Sequence, residues 1–306
     1  MSELRADTLS LIDTATLWPQ LHRLDTEAVA ARGAGHLFVS SGLAATGLTR
    51  LPRIPRTSVL GVRGGLRYKG VVVARELAGG AGWEIVSTRL AQESDDPTLE
   101  ALLVGAQKEC TARGAHTLLV RYPEGSPHGG AFHRSGFTPH TLECLHTLPA
   151  AEGVDPTDKF RPATSRDRSG IFRLYCRVVP EHVRKREAAT QQEWRSLLDS
   201  YECDQGFVAP GEDHPAIWIG GGEREGRILC DESARHLIQD ALQLLGKLLD
   251  RGGVLVLPEY QPDIEREALE LGCERLGTRL LCARRLAILN PLKEAQKVPV
   301  PGTVTY

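Results

Sequence analysis

The sequence predicts an α+β protein of two tandem units, each a mixed and mostly antiparallel sheet flanked by helices, followed by an extended C-terminal tail. Three observations predict this. Residues 83–148 read as strand, long helix, strand, short helix, strand. The end of that order returns between residues 226 and 287, where RGGVLVLPEY (251–260) matches RGAHTLLVRYPE (113–124). Between the two lies PAAEGVDPTD (149–158), a linker by composition. The expected boundaries are 1–150, 159–289 and 290–306.

In the first unit, residues 7–13 suggest an opening strand. Trp18 to Ala31 suggests a helix with Trp18, Leu21, Leu24 and Ala28 on one side. Residues 57–77 read as a hairpin turning at Gly64-Gly65. Gly79 to Gly82 turns the chain into a strand from Trp83 to Leu90. Asp96-Pro97 then starts a helix: the carboxylate can cap, and proline's missing N–H costs nothing in the first turn. Leu99, Leu102, Leu103, Ala106 and Cys110 make one apolar face, and Arg113-Gly114 ends the helix. His116 to Val120 reads as a buried strand, 128–135 as a short helix closed by Gly136, and Leu142 to Leu148 as the last strand.

In the second unit, Asp167 to Val178 and Gln191 to Tyr201 are helical by periodicity. Strands follow near 205–209, 215–219 and 226–230, with a turn at Gly220-Gly221-Gly222. Ser233 to Asp250 is an amphipathic helix, and Val254 to Leu257 a strand. The spacing from Gly65 to Gly136 is 71 residues, and from Gly221 to Gly272 it is 51, which suggests one hairpin fewer in the second unit. Residues 97–148 and 233–287 are expected to superpose as helix–strand–helix–strand units, each on its own sheet. A single sheet running through both would remove a duplication framed in that way.

Composition excludes several classes. Net charge is −2, which favours neither nucleic acid nor a membrane surface. No window approaches 18 uninterrupted apolar residues, so no membrane span is expected, and MSELRADTLS lacks the apolar region of a signal peptide. The 7 cysteines are odd in number, scattered and never in a C-x-x-C pair, which suggests reduced thiols and a cytoplasmic protein. Ala28 to Arg75 holds eight basic residues and no acid. It reads either as an anion-binding face or as a solvated hairpin balanced by acids elsewhere, and the alternation favours the latter.

The order of residues 83–148, closing in Gly136-Phe137 after a short helix, resembles the core of the GNAT acyltransferase superfamily. The phrases WEI, RGAHTLLVRYPEGSP and RSGFTPHTLE are similar to a tandem-domain GNAT-like group with degenerate acetyl-CoA loops, which brings no known substrate with it. The resemblance implies that the Trp83 strand splays from its neighbour and that acetyl-CoA or another acyl-CoA lies in the gap. The pyrophosphate would meet the head of the long helix, so Leu90, Thr98 and Leu99 are the implied cofactor-binding residues. It further implies Glu84 as a base for an ammonium substrate and Tyr122 as a phenol near the cleft. The residues alone also allow Glu84 to be a surface carboxylate, and Tyr122 and Tyr260 to be aromatic plugs over the sheet end.

The family's glycine-rich loop, Q/R-x-x-G-x-G/A, is absent. The first unit has Gln92-Glu93-Ser94-Asp95-Asp96-Pro97-Thr98-Leu99 there, and the second Leu229-Cys230-Asp231-Glu232-Ser233-Ala234-Arg235. Both are acidic where a diphosphate would sit. The family's tyrosine, four residues before the closing glycine, is replaced by Phe132 and Ala268. His128, His133, His140, Cys144 and His146 match no zinc spacing, and alternation places the last three on one face of a core strand.

Two readings follow. One is an acyl-CoA-dependent N-acyltransferase with a non-standard cofactor loop, acting on a small-molecule or protein amine and working in the first unit. The other is a catalytically inactive duplicated scaffold that serves as an interaction or assembly subunit. The tail, NPLKEAQKVPVPGTVTY, is expected to be extended, with its valines anchored on the chain's own domains, a protein partner or a second copy.

Overall fold

Strand alternation and helix periodicity sort the chain into one mixed sheet with helices on both faces. The computed structural model describes residues 4–24, 26–30, 56–80, 82–92, 95–148, 158–203, 205–249 and 253–286. The chain begins with β1 (Ala6–Thr8), α1 (Leu11–Leu17), a 3-10 turn (Trp18–Arg23) and β2 (Thr26–Ala30). Strands β3 (Thr57–Gly64), β4 (Arg67–Glu76) and β5 (Gly82–Leu90) lead to α2 (Asp96–Ala112), β6 (Thr117–Pro123), α3 (Gly129–Arg134) and β7 (Thr138–Thr147). The second unit opens with β8 (Arg161–Pro162), α4 (Arg168–Val178), α5 (Glu181–Glu187) and α6 (Gln191–Ser200). Strands β9 (Gln205–Ala209), β10 (Ile217–Gly221) and β11 (Glu225–Cys230) follow. A 3-10 segment (Glu232–Leu237) then runs into α7 (Ile238–Leu248), followed by β12 (Val254–Pro258), α8 (Pro262–Glu270) and β13 (Arg275–Arg285).

The strand order is β1-β3-β4-β5-β6-β13-β7-β12-β11-β10-β9-β8, with β2 paired to β5 off this path. The last strand of each unit has crossed over. β13 lies between β6 and β7, antiparallel to both, while β7 pairs with β12. Leu142 faces Leu280 near the middle of the β7–β13 pair, and Glu143 faces Arg279 beside them. The expectation of two separate sheets is therefore wrong, and the duplication does not stand as a pair of self-contained units. What does repeat is the element order: α2-β6-α3-β7 in the first unit and α7-β12-α8-β13 in the second.

Each long helix buries the face its spacing predicts. Leu99, Leu102, Leu103, Ala106 and Cys110 of α2 are fully buried, at 0% exposure, on the first core. Ile238, Ala241, Leu242, Leu244 and Leu245 of α7 are buried on the second, at 2% exposure or less. Burial on this scale contributes about 2 kcal/mol per leucine. The opposite face of the sheet carries Leu119, Leu281, Trp218 and Leu229 against α4 and α6. Alternation forces this division, because neighbouring residues of one strand point to opposite faces.

Several expectations are corrected. The first strand is only β1, because Ser10 and Asp13 cap each other's backbone N–H at 3.3 and 3.0 Å and start α1. The helix expected over residues 18–31 is a 3-10 turn followed by strand β2, since the partner edge on β5 outweighs local helical periodicity. Asp95, rather than Asp96, caps α2. Helix α5 was not foreseen, and the helix expected from Ser233 begins as a 3-10 segment. No hairpin is missing from the second unit: β9-β10-β11 corresponds to β3-β4-β5. Gly65 turns β3 into β4, whereas Gly221 ends β10 before β11, so the two spacings started from non-equivalent turns. The linker to residue 157, Glu93, Gly252 and the tail from 290 lie outside the described residues.

Candidate functional site

The first cleft lies where β5 and β6 part. They run parallel from Gly82 opposite Thr117 to Ile85 opposite Val120, and no further. Beyond that point β5 pairs on its other edge with β4 and on the vacated edge with β2. Thr26 stands opposite Leu90, Val29 opposite Thr88 and Ala30 opposite Ser87. The side chains of Ala28 and Val29 belong to the first core, at 3% and 0% exposure. A strand has only two hydrogen-bonding edges, so β2 fills the gap that opens when β6 leaves.

The head of α2 is also occupied by the chain itself. The Asp95 carboxylate accepts the Thr98 N–H at 3.3 Å and the Thr98 hydroxyl at 3.0 Å. The Asp95 carbonyl accepts Thr98 and Leu99 N–H at 3.0 and 3.4 Å. Asp96 is bonded by Arg134 at 2.6 Å, which with His128 holds its carboxyl below the usual range against the opposing effect of burial. Of the implied cofactor residues, Leu90, Thr98 and Leu99 are all fully buried, at 0% exposure.

Glu84 and Tyr122 lie on opposite faces of the sheet and do not meet. Tyr122 packs in the first core, stacked on Phe132 with centroids 4.3 Å apart, and burial pushes its phenol well above its ordinary value. Glu84 is neither a solvent-facing carboxylate nor a base in an open cleft, being 2% exposed. It lies 2.5 Å from Arg121 and 3.4 Å from Arg75. A charge seam continues from there across the sheet. Arg121 lies 3.4 Å from Glu143, which also meets Arg227 at 2.9 Å and Arg279 at 2.5 Å. Glu225 pairs with Arg279 at 2.6 Å, and Asp199 with Arg75 at 2.9 Å. Four guanidinium groups thus face four carboxylates, a balance that buried charges require. Burial works to raise the Glu143 carboxyl, but Arg227, Arg279 and Arg121 together hold it well below the carboxylate range. The Tyr201 ring covers Arg227 at 3.8 Å. The Tyr201 hydroxyl donates to Glu187 at 2.7 Å, and burial pushes Glu187 up to about 7.

The second cleft is built on the same plan but contains a cavity of about 350 Å³. Here β11 and β12 pair only at Glu225–Val254 and Gly226–Leu255 before parting. The freed edge of β11 is held by the Gln261 side chain, which accepts from the Cys230 N–H at 3.3 Å and donates to the Ile228 carbonyl at 3.0 Å. Asp231 caps the following 3-10 segment through the Ser233 N–H at 3.0 Å. Arg177 lies 2.6 Å from Asp231, and Arg235 bridges Glu232 and Asp263 at 2.9 and 2.8 Å. Burial pushes the Cys230 thiol up to about 12, which makes it a poor nucleophile. Tyr260 lines this cavity.

Cys144 and His146 keep the alternation expected of β7, with His146 fully buried 3.2 Å from Glu265, but a register shift between Leu281 and Cys282 leaves His140 without a partner position, so the alternation does not extend to it. Among the described residues no group of three or more ligating side chains could hold a metal ion, and no helix is long and apolar enough to cross a membrane. Sequence reasoning missed the seam, β2's role and Gln261. One signal was available for the seam: Arg121 directly follows a strand of buried type, and a buried arginine needs an acid.

No protein-family model matches the sequence, and no curated protein matches it significantly. Solved structures do. A putative acetyltransferase from Pyrococcus horikoshii aligns with a TM-score of 0.54 at 11% identity, over 94% of this chain and 91% of that one. A Drosophila protein aligns at 0.51 and 12% identity, over 93% and 98%. A tandem GNAT protein from the clavulanic acid biosynthesis pathway aligns at 0.47 and 14% identity, over 92% and 98%. At these identities the likeness is one of fold: over nearly its whole length the chain shares the fold of a putative acetyltransferase.

Proposed function

We propose that this chain is a GNAT-like scaffold that has left acyl transfer behind in its first unit and works as a binding or assembly subunit. The pairing of β2 with residues 87–90 of β5 carries this reading. In the family that the fold resembles, acetyl-CoA lies in that gap, and here the strand edge it would meet is taken by the chain's own backbone. Two further features support it. Asp95 places a carboxylate at the head of α2, and Asp231 one at the head of the 3-10 segment that leads into α7, where each would repel a diphosphate. Glu84 is 2% exposed and is bonded into a seam of arginines. The scatter of the seven cysteines, with no C-x-x-C pair, supports a reducing, cytoplasmic setting.

Titration calorimetry with acetyl-CoA at ordinary salt tests the proposal. The unmodified protein should show no binding, and no acyl transfer to a panel of amines. Micromolar affinity that is lost in Glu84→Gln would restore the enzyme reading, with an amine as acceptor.

A further inference from the structure

We propose that the second cleft binds a small zwitterion with one ammonium and one carboxylate, the chemistry of a free α-amino acid. The inference rests on reading the chain as a binding module and names what this cleft would hold. The cavity of about 350 Å³ lies at the small end of ligand sites, matching an amino acid rather than a nucleotide cofactor.

Its charges decide the class. Three carboxylates, Asp231, Glu232 and Asp263, and two guanidinium groups, Arg177 and Arg235, line it. That excess of one negative charge opposes a polyanion. Asp231 is a fixed anion: it is 2% exposed and tied to Ser233 by hydrogen bonds at 2.8 and 3.0 Å. Its other oxygen, Oδ2, is buried and has the Arg177 Nε 2.6 Å away as an ionic neighbour but accepts no hydrogen bond from any described group. The Arg177 side chain is 65% exposed and is the movable partner.

An entering ammonium can therefore replace Arg177 at Asp231 and donate the hydrogen bond that this oxygen lacks. A simple cation would leave the displaced guanidinium without its anion. A zwitterion supplies a carboxylate for it and restores both pairs, in the two-point geometry that arginine favours. Ile238, Ile264 and Tyr260 form an apolar wall for the ligand's side chain.

The test uses the full chain, with thermal melting and calorimetry against each of the common free amino acids at millimolar concentration. Acetyl-CoA and spermidine are the comparison arms. At least one amino acid should raise the melting temperature by about 5 °C at roughly one hundred times its Kd. Arg177→Gln should weaken that binding by about ten-fold or more, since it removes a charge-assisted contact. Arg235→Gln provides a second variant if the first does not fold, with the same expected loss, and Arg134→Gln in the first unit should leave binding unchanged. The proposal is overturned if no amino acid shifts the melt, if only acetyl-CoA or spermidine does, or if the arginine variants bind as the parent does. Failure with amino acids alone leaves the scaffold reading intact. Acetyl-CoA binding that is lost in Arg177→Gln would sink both.

Discussion

Arg121 Nη1 lies 2.5 Å from Glu84 Oε1 inside a closed sheet face, with both side chains at or below 5% exposure. The pair joins β5 to β6 at the end of their parallel pairing, whose last step is Ile85 opposite Val120. A carboxylate held in this way stabilises the fold as an ion partner.

Glu84→Gln should therefore register as a loss of stability. Arg121 keeps Glu143 and Arg75 keeps Asp199, so the seam is weakened rather than abolished. Urea denaturation should show a loss of about 2–4 kcal/mol, below the full cost of breaking a buried pair. An unchanged midpoint would mean that Glu84 contributes nothing to the seam.

Val29→Pro should release the free edge of β5. Proline cannot donate to a ladder, and Val29 stands opposite Thr88. Amide hydrogen exchange in residues 86–90 should accelerate by about ten-fold or more, while α2 stays protected. Equal exchange in parent and variant would show that β2 does not hold that edge.

The pH dependence of stability should separate two buried groups. Burial raises Glu187 from 4.5 to about 7, with Tyr201, Arg227 and Arg121 acting to lower it and Glu143 to raise it. The folded state then holds this proton more tightly than the unfolded one. Its contribution is complete below pH 4.5 and is lost as pH rises to 7. Burial lowers His140 from 6.5 to about 4, so its contribution is absent at pH 4 and is gained as pH rises to 6.5. Each effect amounts to about 3 kcal/mol, and they offset each other where the windows overlap. The parent should vary little between pH 4.5 and 6.5. Glu187→Gln should grow more stable with rising pH there, and His140→Leu less stable. Parallel profiles for all three proteins would refute the assignment.

Gln261→Leu should leave the Cys230 N–H and the Ile228 carbonyl without their described side-chain partner. The cost should be about 1–3 kcal/mol, that of uncompensated polar groups at a largely buried site. Gln261→Glu should recover part of it, because an acceptor for the Cys230 N–H remains. Thermal melts of the two variants decide the matter, and equal melting temperatures would contradict the clamp.

The sequence by itself determined the elements whose signals are local. Leu99 to Cys110 and Leu237 to Leu248 recur at helical spacing, Gly114 and Gly136 sit where a positive φ is needed, and strands β3 to β7 and β9 to β12 follow their residue patterns. The departures from the GNAT pattern, acidic loops and a missing tyrosine, were also legible as letters. The tertiary structure alone decided which strands meet. Backbone edges pair through N–H and C=O groups that every strand carries, so no side chain announced that β13 would enter between β6 and β7 or that β2 would close the first cleft. Glu84, Arg121, Glu143, Arg227 and Arg279 are far apart in sequence and became a site only when the exchanged strands brought them onto one buried face. There, low dielectric and mutual charge, rather than spacing, fix what each group can do.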